Sequence, residues 1–116
     1  MLAKKYKITK KEDYYKLYKK GHTFNSPCLK IFILPNGLNF NRFSIVVSKK
    51  ISSKATTRNN IKRRIKGAIF EDGLQKTTPS FDILILTYPG IDKLDSLFLK
   101  EKFKKLFKKL KHFNFK

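Results

Sequence analysis

The apolar segment SFDILILTYP, residues 80–89, constrains the fold more than any other part of the sequence. Its apolar residues follow one another instead of alternating with polar ones, which is typical of a strand covered on both faces. Pro89 then ends the strand, because proline cannot donate to a sheet ladder. Such a strand needs neighbours, and three segments can supply them: HTFNSP (22–27) as a short edge strand, CLKIFILP (28–35) and RFSIVVSKK (42–50).

Helical patterns fill the rest of the chain. In TKKEDYYKLYKKG, Thr9 and Glu12 fit a capping box, and Gly21 is placed to end the helix. A second helix runs from about Ala55 to Asp72, where Gly73 ends it. The third begins near residue 92 (Asp92) and carries an apolar stripe at spacings of four and three. The stripe consists of Leu99, Phe103, Leu106, Leu110 and Phe113.

The order of these elements is α-β-β-β-α-β-α. It predicts an α+β fold in which a small mixed four-stranded sheet packs with three helices. A length of 116 residues fits one core, so residues 1–116 are expected to form a single domain.

Charge limits the classes of partner. The chain has 28 Lys and Arg against 8 Asp and Glu, a net charge of +20. Excess charge on this scale destabilises a compact chain by self-repulsion and favours a polyanionic partner, with nucleic acid ahead of an anionic membrane surface. The lone cysteine, Cys28, is expected to be a buried small hydrophobe. No signal peptide or membrane-spanning run is visible, so the expected location is the cytoplasm.

The segment ATTRNNIKRRIK, residues 55–66, places positive charge where a helix tolerates it least, because its N-terminus is already partly positive. On a helical projection one arc is apolar and would pack on the sheet, while an adjacent arc is basic. Arg64 points away from both. A solvated basic face is the ordinary interpretation of such a run, but the missing acids favour RNA phosphates as the partner. The basic arc holds Asn59, Lys62, Arg63 and Lys66, with Arg58 at its edge.

A second candidate surface combines aromatic residues with a lysine. Alternation along the second strand places Lys30 and Phe32 on the face opposite the core, and Tyr14 and Tyr18 lie four apart on the first helix. Aromatic rings beside a lysine can stack unpaired bases. Periodicity alone favours the other interpretation, in which these rings pack the helix onto the sheet.

No arrangement of residues predicts catalysis by the protein. His22 and His112 have no partner at metal-ligand spacing, and the acids occur as adjacent pairs whose side chains diverge on a helix. A nuclease that uses protein-bound metals needs several converging carboxylates. These acids are better explained by helix ends and solubility.

The segment VSKKISSKATTRNNIKRRIK resembles the signature of the protein component of bacterial ribonuclease P. That family has Ser-Lys-Lys ending a strand, then a helix opening with Arg-Asn-Arg, one residue, and Lys-Arg. Arg58, Asn59, Lys62 and Arg63 match, and Asn60 stands where the family has its second Arg. KKEDYYKLYKKG and FDILILTYP are similar to the family's first helix and last strand.

The resemblance implies an uncommon left-handed βαβ crossover and two binding surfaces. It implies that the RNA subunit carries out the cleavage and mainly holds the Mg²⁺, so that no catalytic residue is expected in the protein and no metal site is assigned to it. The expected partners are ribonuclease P RNA and precursor tRNA. The implied leader-binding residues, for the single-stranded 5′ leader of precursor tRNA, are Tyr14, Tyr18, Lys30, Phe32, Arg58, Asn59 and Lys62. The implied contacts to the RNA subunit are Lys49, Lys50, Lys54, Arg58, Asn59, Lys62, Arg63 and Lys66.

Three alternatives stay open from the residues. A ribosomal or other structural RNA-binding protein needs the same charge and core but no cleft. The Lys-rich final helix with its Phe/Leu stripe would also suit a membrane surface. The third alternative is a protein-only endonuclease.

Overall fold

The computed structural model describes residues 4–71 and 80–112. The predicted order of helices and strands is confirmed, with two short 3-10 turns added at Lys4–Tyr6 and Ile91–Lys93. The helices are α1 (Lys11–Lys20), α2 (Ala55–Phe70) and α3 (Ser96–Leu110), and the strands are β1 (His22–Ser26), β2 (Leu29–Pro35), β3 (Arg42–Val46) and β4 (Phe81–Thr87).

The four strands form one mixed sheet in the order β1-β2-β4-β3. β4 is an inner strand, as its uninterrupted apolar pattern predicts. It runs antiparallel to β2 and parallel to β3. The parallel pair is joined through α2, and the hand of that crossover stays a prediction of the family resemblance. β1 pairs only with β2 and is therefore an edge strand.

The two faces of the sheet differ in what covers them. One face packs against α2 and α3 and forms the main core, in which the predicted apolar arcs of both helices are buried. The opposite face is covered in part by α1, through a smaller cluster formed by Ile8, Leu17, Phe32 and Leu84. Because α1 is only ten residues long, much of this second face stays outside that cluster.

The predicted start of the first helix is corrected, and its predicted end at Gly21 is confirmed. Thr9 does not cap α1: the N-cap is Lys10, and its side chain makes no capping hydrogen bond. Gly21 does follow the helix, but with an extended backbone (φ −68°) instead of the left-handed conformation usual for a C-terminal glycine. Its N–H bonds the carbonyl oxygen of Leu17, and a Cβ at Gly21 would lie 2.4 Å from that oxygen. A side chain at this position would therefore clash with the backbone of Leu17, which explains why the residue is glycine.

The third helix starts later than predicted. Asp92 belongs to the 3-10 turn, and α3 begins at Ser96 with Asp95 as its N-cap. The Phe98 N–H donates to Asp95 Oδ1 at 2.8 Å, which satisfies one of the free donors of the first turn. The predicted end of the second helix at residues 72 and 73, and the last stripe residue, Phe113, lie outside the described residues.

Cys28 occupies the β1–β2 turn with a positive φ of 68°. It is half-buried at the rim of the core, and its thiol donates to the carbonyl oxygen of Pro89 at 3.3 Å. The expectation of a fully buried small hydrophobe is therefore wrong, since the turn places the thiol at the margin of the core.

An ion pair between the half-buried Arg42 and the buried Asp82 fixes α1 to the end of the sheet. Arg42 of β3 donates from Nε and Nη2 to the two carboxylate oxygens of Asp82 in β4, at 2.8 and 2.6 Å. The same guanidinium lies 3.4 Å from Asp13 of α1. These charges raise the pKa of Arg42 further above its ordinary value, the hydrogen bond to Asp82 being the largest cause. One arginine thus connects two strands and the helix above them.

Candidate nucleic-acid interface

Helix α1 crosses the sheet from β3 towards β2. The Tyr14 hydroxyl donates to the Ile8 carbonyl oxygen at 3.0 Å and lies 2.6 Å from Ser44 Oγ on β3. One turn further on, the Tyr18 ring meets Phe32 on β2 edge-on, with ring centroids 5.2 Å apart. The two tyrosines, four residues apart on α1, therefore contact two different strands of the sheet, β3 and β2.

The Tyr18 and Phe32 rings are accessible to very different extents. The Phe32 side chain is 8% exposed, beneath α1, whereas Tyr18 is 52% exposed. The Nζ of Lys30 lies 5.3 Å from the Phe32 ring centroid. Packing of helix on sheet, the alternative interpretation of these aromatics, accounts for the contacts of Tyr14 and Phe32. It leaves Tyr18 and Lys30 available to a partner.

Next to α1 on this face of the sheet lies a row of four paired residues, here called the open row: Asn25, Lys30, Leu86 and Val46. Paired residues on neighbouring strands project to the same face, and the row is roughly 14 Å long at the usual strand spacing. Asn25 and Val46, at its two ends, are exposed, and the two middle residues are half-buried. We call the surface formed by Tyr14, Tyr18, Phe32 and the open row the aromatic cleft.

The basic arc of α2 faces the β3 end of this cleft. Lys62 and Lys66 line a depression of about 220 Å³ together with Lys7 and Ser44. Because Ser44 is the residue that Tyr14 contacts, the aromatic cleft and the basic helix share a border at β3. The structure thereby brings together two groups of residues that the sequence suggested separately.

Lys7 is a part of this surface that sequence reasoning missed. Residues 7 and 8 pair with the outer edge of β3, through a bridge between Lys7 and Phe43 and a hydrogen bond of 3.0 Å from Ile8 N to the Phe43 carbonyl oxygen. This pairing sets Lys7 opposite the lysines of α2. No local pattern predicts it, because the contact joins residues far apart in the chain.

Lys66 lies close to three other cationic side chains, Lys7, Lys62 and Arg63. Its pKa is lowered, first because burial penalises the charged ammonium and then because Lys7, Lys62 and Arg63 repel it. An anion bound beside this lysine would offset the repulsion from the neighbouring cations. The arrangement is expected of a phosphate-binding surface and adds nothing to the stability of the free protein.

We therefore expect replacing Lys66 with methionine to leave the free energy of unfolding at neutral pH unchanged or raised. With the folded-state pKa lowered, the charged lysine penalises the fold at all pH values below that pKa, and the penalty fades only as pH rises through it. RNA binding should weaken, with a salt slope smaller by about one. Denaturant unfolding and salt-dependent binding measure the two effects, and a destabilised variant with intact RNA binding would contradict the assignment.

The remaining predicted contacts to an RNA subunit lie around the start of α2. Lys49, Lys50 and Lys54 are exposed, and Lys54 is the N-cap residue without a capping side chain. The first turn of α2 contains no acid, so nothing in it offsets the positive helix end. Asn59 and Arg63 are exposed, and Lys62 is half-buried.

Two arginines of α2 have structural contacts. Arg58 is half-buried and donates from Nη1 to the Ser52 carbonyl oxygen at 2.9 Å, which holds the loop before the helix. Arg64 Nη1 donates to the carbonyl oxygens of Asp92 and Leu94, at 3.0 and 2.9 Å, and so connects α2 to the segment that leads into α3. Asn60, at the position of the family's second arginine, is exposed.

Neither catalysis nor membrane binding gains support from the geometry. In the described ranges, 4–71 and 80–112, no three His, Cys, Asp or Glu side chains come together as metal ligands. Among the helices in those ranges, none combines the length and the apolar character needed to cross a membrane. The stripe that suggested a membrane-facing final helix is core instead, since Leu99, Phe103, Leu106 and Leu110 are buried.

Comparison with known proteins gives a consistent result. The family model described as Ribonuclease P matches residues 2–111. The ribonuclease P protein component of Clostridioides difficile (strain 630) is 37% identical over 94 residues, covering 74% of this chain and 82% of that protein. That of Pseudanabaena sp. (strain PCC 6903) is 35% identical over 86 residues, covering 73% of each. Among solved structures, the Staphylococcus aureus RNase P protein superposes with a TM-score of 0.75 at 27% identity, covering 94% of this chain and 98% of that one.

Proposed function

Since this chain belongs to the ribonuclease P protein family and is the protein subunit of that enzyme, we propose that its aromatic cleft binds the single-stranded 5′ leader of precursor tRNA. The observation that carries the proposal is the exposed Tyr18 ring, set on Phe32 beside Lys30 and the open row. An exposed ring above a sheet offers a stacking surface to any unpaired base, and the lysine offers a charge to the adjoining phosphate. Mature tRNA has no leader to occupy this surface.

As a ribonuclease P protein component, the chain associates with ribonuclease P RNA. We propose that the contact is made by the start of α2 and the loop before it, where uncompensated positive charge is concentrated. The residues are Lys49, Lys50, Lys54, Arg58, Asn59, Lys62, Arg63 and Lys66. Arg58, Asn59 and Lys62 also border the cleft in this proposal. Each phosphate contact releases counterions, so the affinity should fall steeply with salt.

We further propose that the RNA subunit performs the hydrolysis and holds the Mg²⁺ that it requires, and that the complex acts in the cytoplasm. The protein then contributes affinity for the substrate and neutralises phosphate repulsion between two RNAs. A net charge of +20 suits that role, since it is far more than the fold itself can use.

Two tyrosines of α1 provide a matched test of leader binding. Tyr18 lies on Phe32, whereas Tyr15 is 60% exposed, away from this contact, with the Lys19 ammonium 5.1 Å from its ring. In the holoenzyme, Tyr18→Ala should weaken binding of precursor tRNA by roughly 1–3 kcal/mol and leave binding of mature tRNA unchanged. Tyr15→Ala should change neither.

Equilibrium binding of both RNAs to both variants decides the proposal. Equal losses for precursor and mature tRNA, or equal losses for the two tyrosines, would show that Tyr18 does not contact the leader. Cleavage of precursor tRNA at low Mg²⁺, with and without the protein, measures separately whether the chain acts as the protein subunit.

A further inference from the structure

A second groove, not used by the function above, lies between α3 and the β1 edge of the sheet. It has a volume of about 330 Å³ and opens on the face of the sheet opposite the aromatic cleft. The three lysines Lys102, Lys105 and Lys109 of α3 line it. Its floor is apolar and consists of Phe24, Leu29, Ile31, Phe103 and Leu106.

The lysines at this groove have no acidic partner in the described part of the chain, and Lys102 contacts only a ring there, with its Nζ 5.7 Å from the Phe98 ring centroid. Lys102, Lys105 and Lys109 follow at spacings of three and four, so they form one stripe along the helix. None of the three forms an ion pair with an acid in the described ranges. An apolar floor below a stripe of ammonium groups matches a nucleotide, whose base is a flat ring and whose phosphate is an anion.

Beside the groove lies a serine hydroxyl that has no hydrogen-bond partner among the described residues. Ser26, the last residue of β1, lines the groove, and its Oγ is shielded from solvent without a hydrogen bond to any residue in the described part of the chain. Buried hydroxyls in proteins normally have a partner, because leaving one unsatisfied is costly. Because the oxygen is shielded, a phosphate oxygen or a base edge in the groove would accept this hydrogen bond only after the serine side chain rotates towards the groove.

Only the edge strand separates the groove from the aromatic cleft. Asn25 lines the groove and, through its pairing with Lys30, is also the last residue of the open row. An RNA strand that leaves the cleft past Lys30 meets Asn25 next and then the rim of the groove. The other end of the open row, at Val46, lies on the β3 side of the sheet, where α2 and its basic arc border the cleft.

We propose that the groove between α3 and β1 binds the 5′-distal nucleotides of a long leader, after the strand has crossed the edge of the sheet at Asn25. This inference rests on the proposed binding of the leader in the aromatic cleft. It assigns the α3 lysines to phosphates, the apolar floor to one unpaired base, and the Ser26 hydroxyl to a polar atom of the nucleotide. The affinity for precursor tRNA then depends on leader length in two stages, the first from the cleft and the second from the groove.

The test compares two triple variants of the full chain in the reconstituted holoenzyme. The groove variant is Lys102→Ala, Lys105→Ala and Lys109→Ala. The control variant is Lys104→Ala, Lys108→Ala and Lys111→Ala, which removes the same charge from the other exposed lysines near the same helix end. Binding is measured with precursor tRNAs whose leaders lengthen one nucleotide at a time, and with mature tRNA.

We expect the groove variant to lose the second stage, roughly tenfold in affinity for long leaders, and to keep wild-type affinity for short leaders and mature tRNA. Its salt slope with long leaders should fall by up to about two, since a single strand contributes about 0.7 per phosphate contact. Adding Ser26→Ala should further weaken the binding of precursor tRNAs with long leaders and leave the binding of those with short leaders unchanged. The control variant should keep both stages.

Two results would overturn the proposal. One is that the groove and control variants behave alike with long leaders. The other is that the groove variant loses affinity for all RNAs equally, which would make the lysine stripe a general electrostatic surface. If the wild-type protein itself shows no preference for precursor over mature tRNA, leader binding in the cleft fails. If the first stage is present and the groove variant still gains affinity in the second stage as the wild type does, the further inference alone fails.

Discussion

Replacing Arg42 with leucine will lower the free energy of unfolding by about 3 to 5 kcal/mol, the range found when one partner of a buried ion pair is removed. The Asp82 side chain is only 8% exposed, and both its oxygens accept from the Arg42 guanidinium. Without Arg42 the carboxylate keeps a single donor among these contacts, Asn36 Nδ2 at 3.0 Å, for a buried negative charge. Leucine retains the apolar part of the side chain, so the loss of unfolding free energy reflects the removal of the guanidinium group. Denaturant unfolding at neutral pH measures it.

The double variant Arg42→Leu with Asp82→Leu supplies the control. Removing both charges leaves no unpaired carboxylate, so much of the stability should return. If the single variant has a free energy of unfolding as high as that of the double variant, the unpaired Asp82 carboxylate is not the cause of the loss. Arg42 also contacts Asp13, so we expect α1 to loosen in the single variant, which amide hydrogen exchange along α1 detects.

The second large effect concerns Phe32, for which we expect alanine to cost about 3 to 5 kcal/mol of unfolding free energy. The ring is buried with Leu17 and Leu84 and lies beneath Tyr18. Truncation leaves a cavity under α1 that a helix fixed at Asp13 cannot close. Because α1 forms one wall of the aromatic cleft, the proposed binding of the leader should also weaken as the helix loosens. Thermal or denaturant unfolding measures the loss directly.

Phe32→Leu separates packing from contact with RNA. Leucine keeps most of the volume, so the cost should stay below about 1.5 kcal/mol. If Phe32 acts by supporting Tyr18, this variant will bind precursor tRNA better than Tyr18→Ala does. A variant that folds stably yet loses as much leader affinity as Tyr18→Ala would instead show that the Phe32 ring itself stacks on a base.

Local periodicity was sufficient for much of the architecture. The run of residues 80–89 indicated an inner strand, and β4 has neighbours on both sides. The apolar arc of α2 and the stripe of α3 are buried, because a repeat of three and four can be satisfied only by burying one side of a helix. The basic arc beside the apolar one followed from the same geometry. Helix ends were less predictable, since α1 begins without a capping side chain and the start of α3 depends on one hydrogen bond, from Phe98 N to Asp95 Oδ1.

The candidate site was predicted in part. The leader-binding and RNA-binding roles stay predictions, but the structure sorts their residues by access. Tyr18 and Lys30 remain within reach of a ligand, Phe32 is covered, and Arg58 holds a loop. Lys7 joins the lysines of α2 although nothing near it in the chain predicted this.

The sequence by itself determined the order of helices and strands, the side of each that is apolar, and the need for a polyanionic partner. Those properties depend on residues a few positions apart and on total charge. Only the tertiary structure decided what covers Phe32, what Arg64 and Arg42 bind, and that Lys7 faces Lys66. Each of these depends on strand register and on a helix crossing the sheet, which bring together residues distant in the chain.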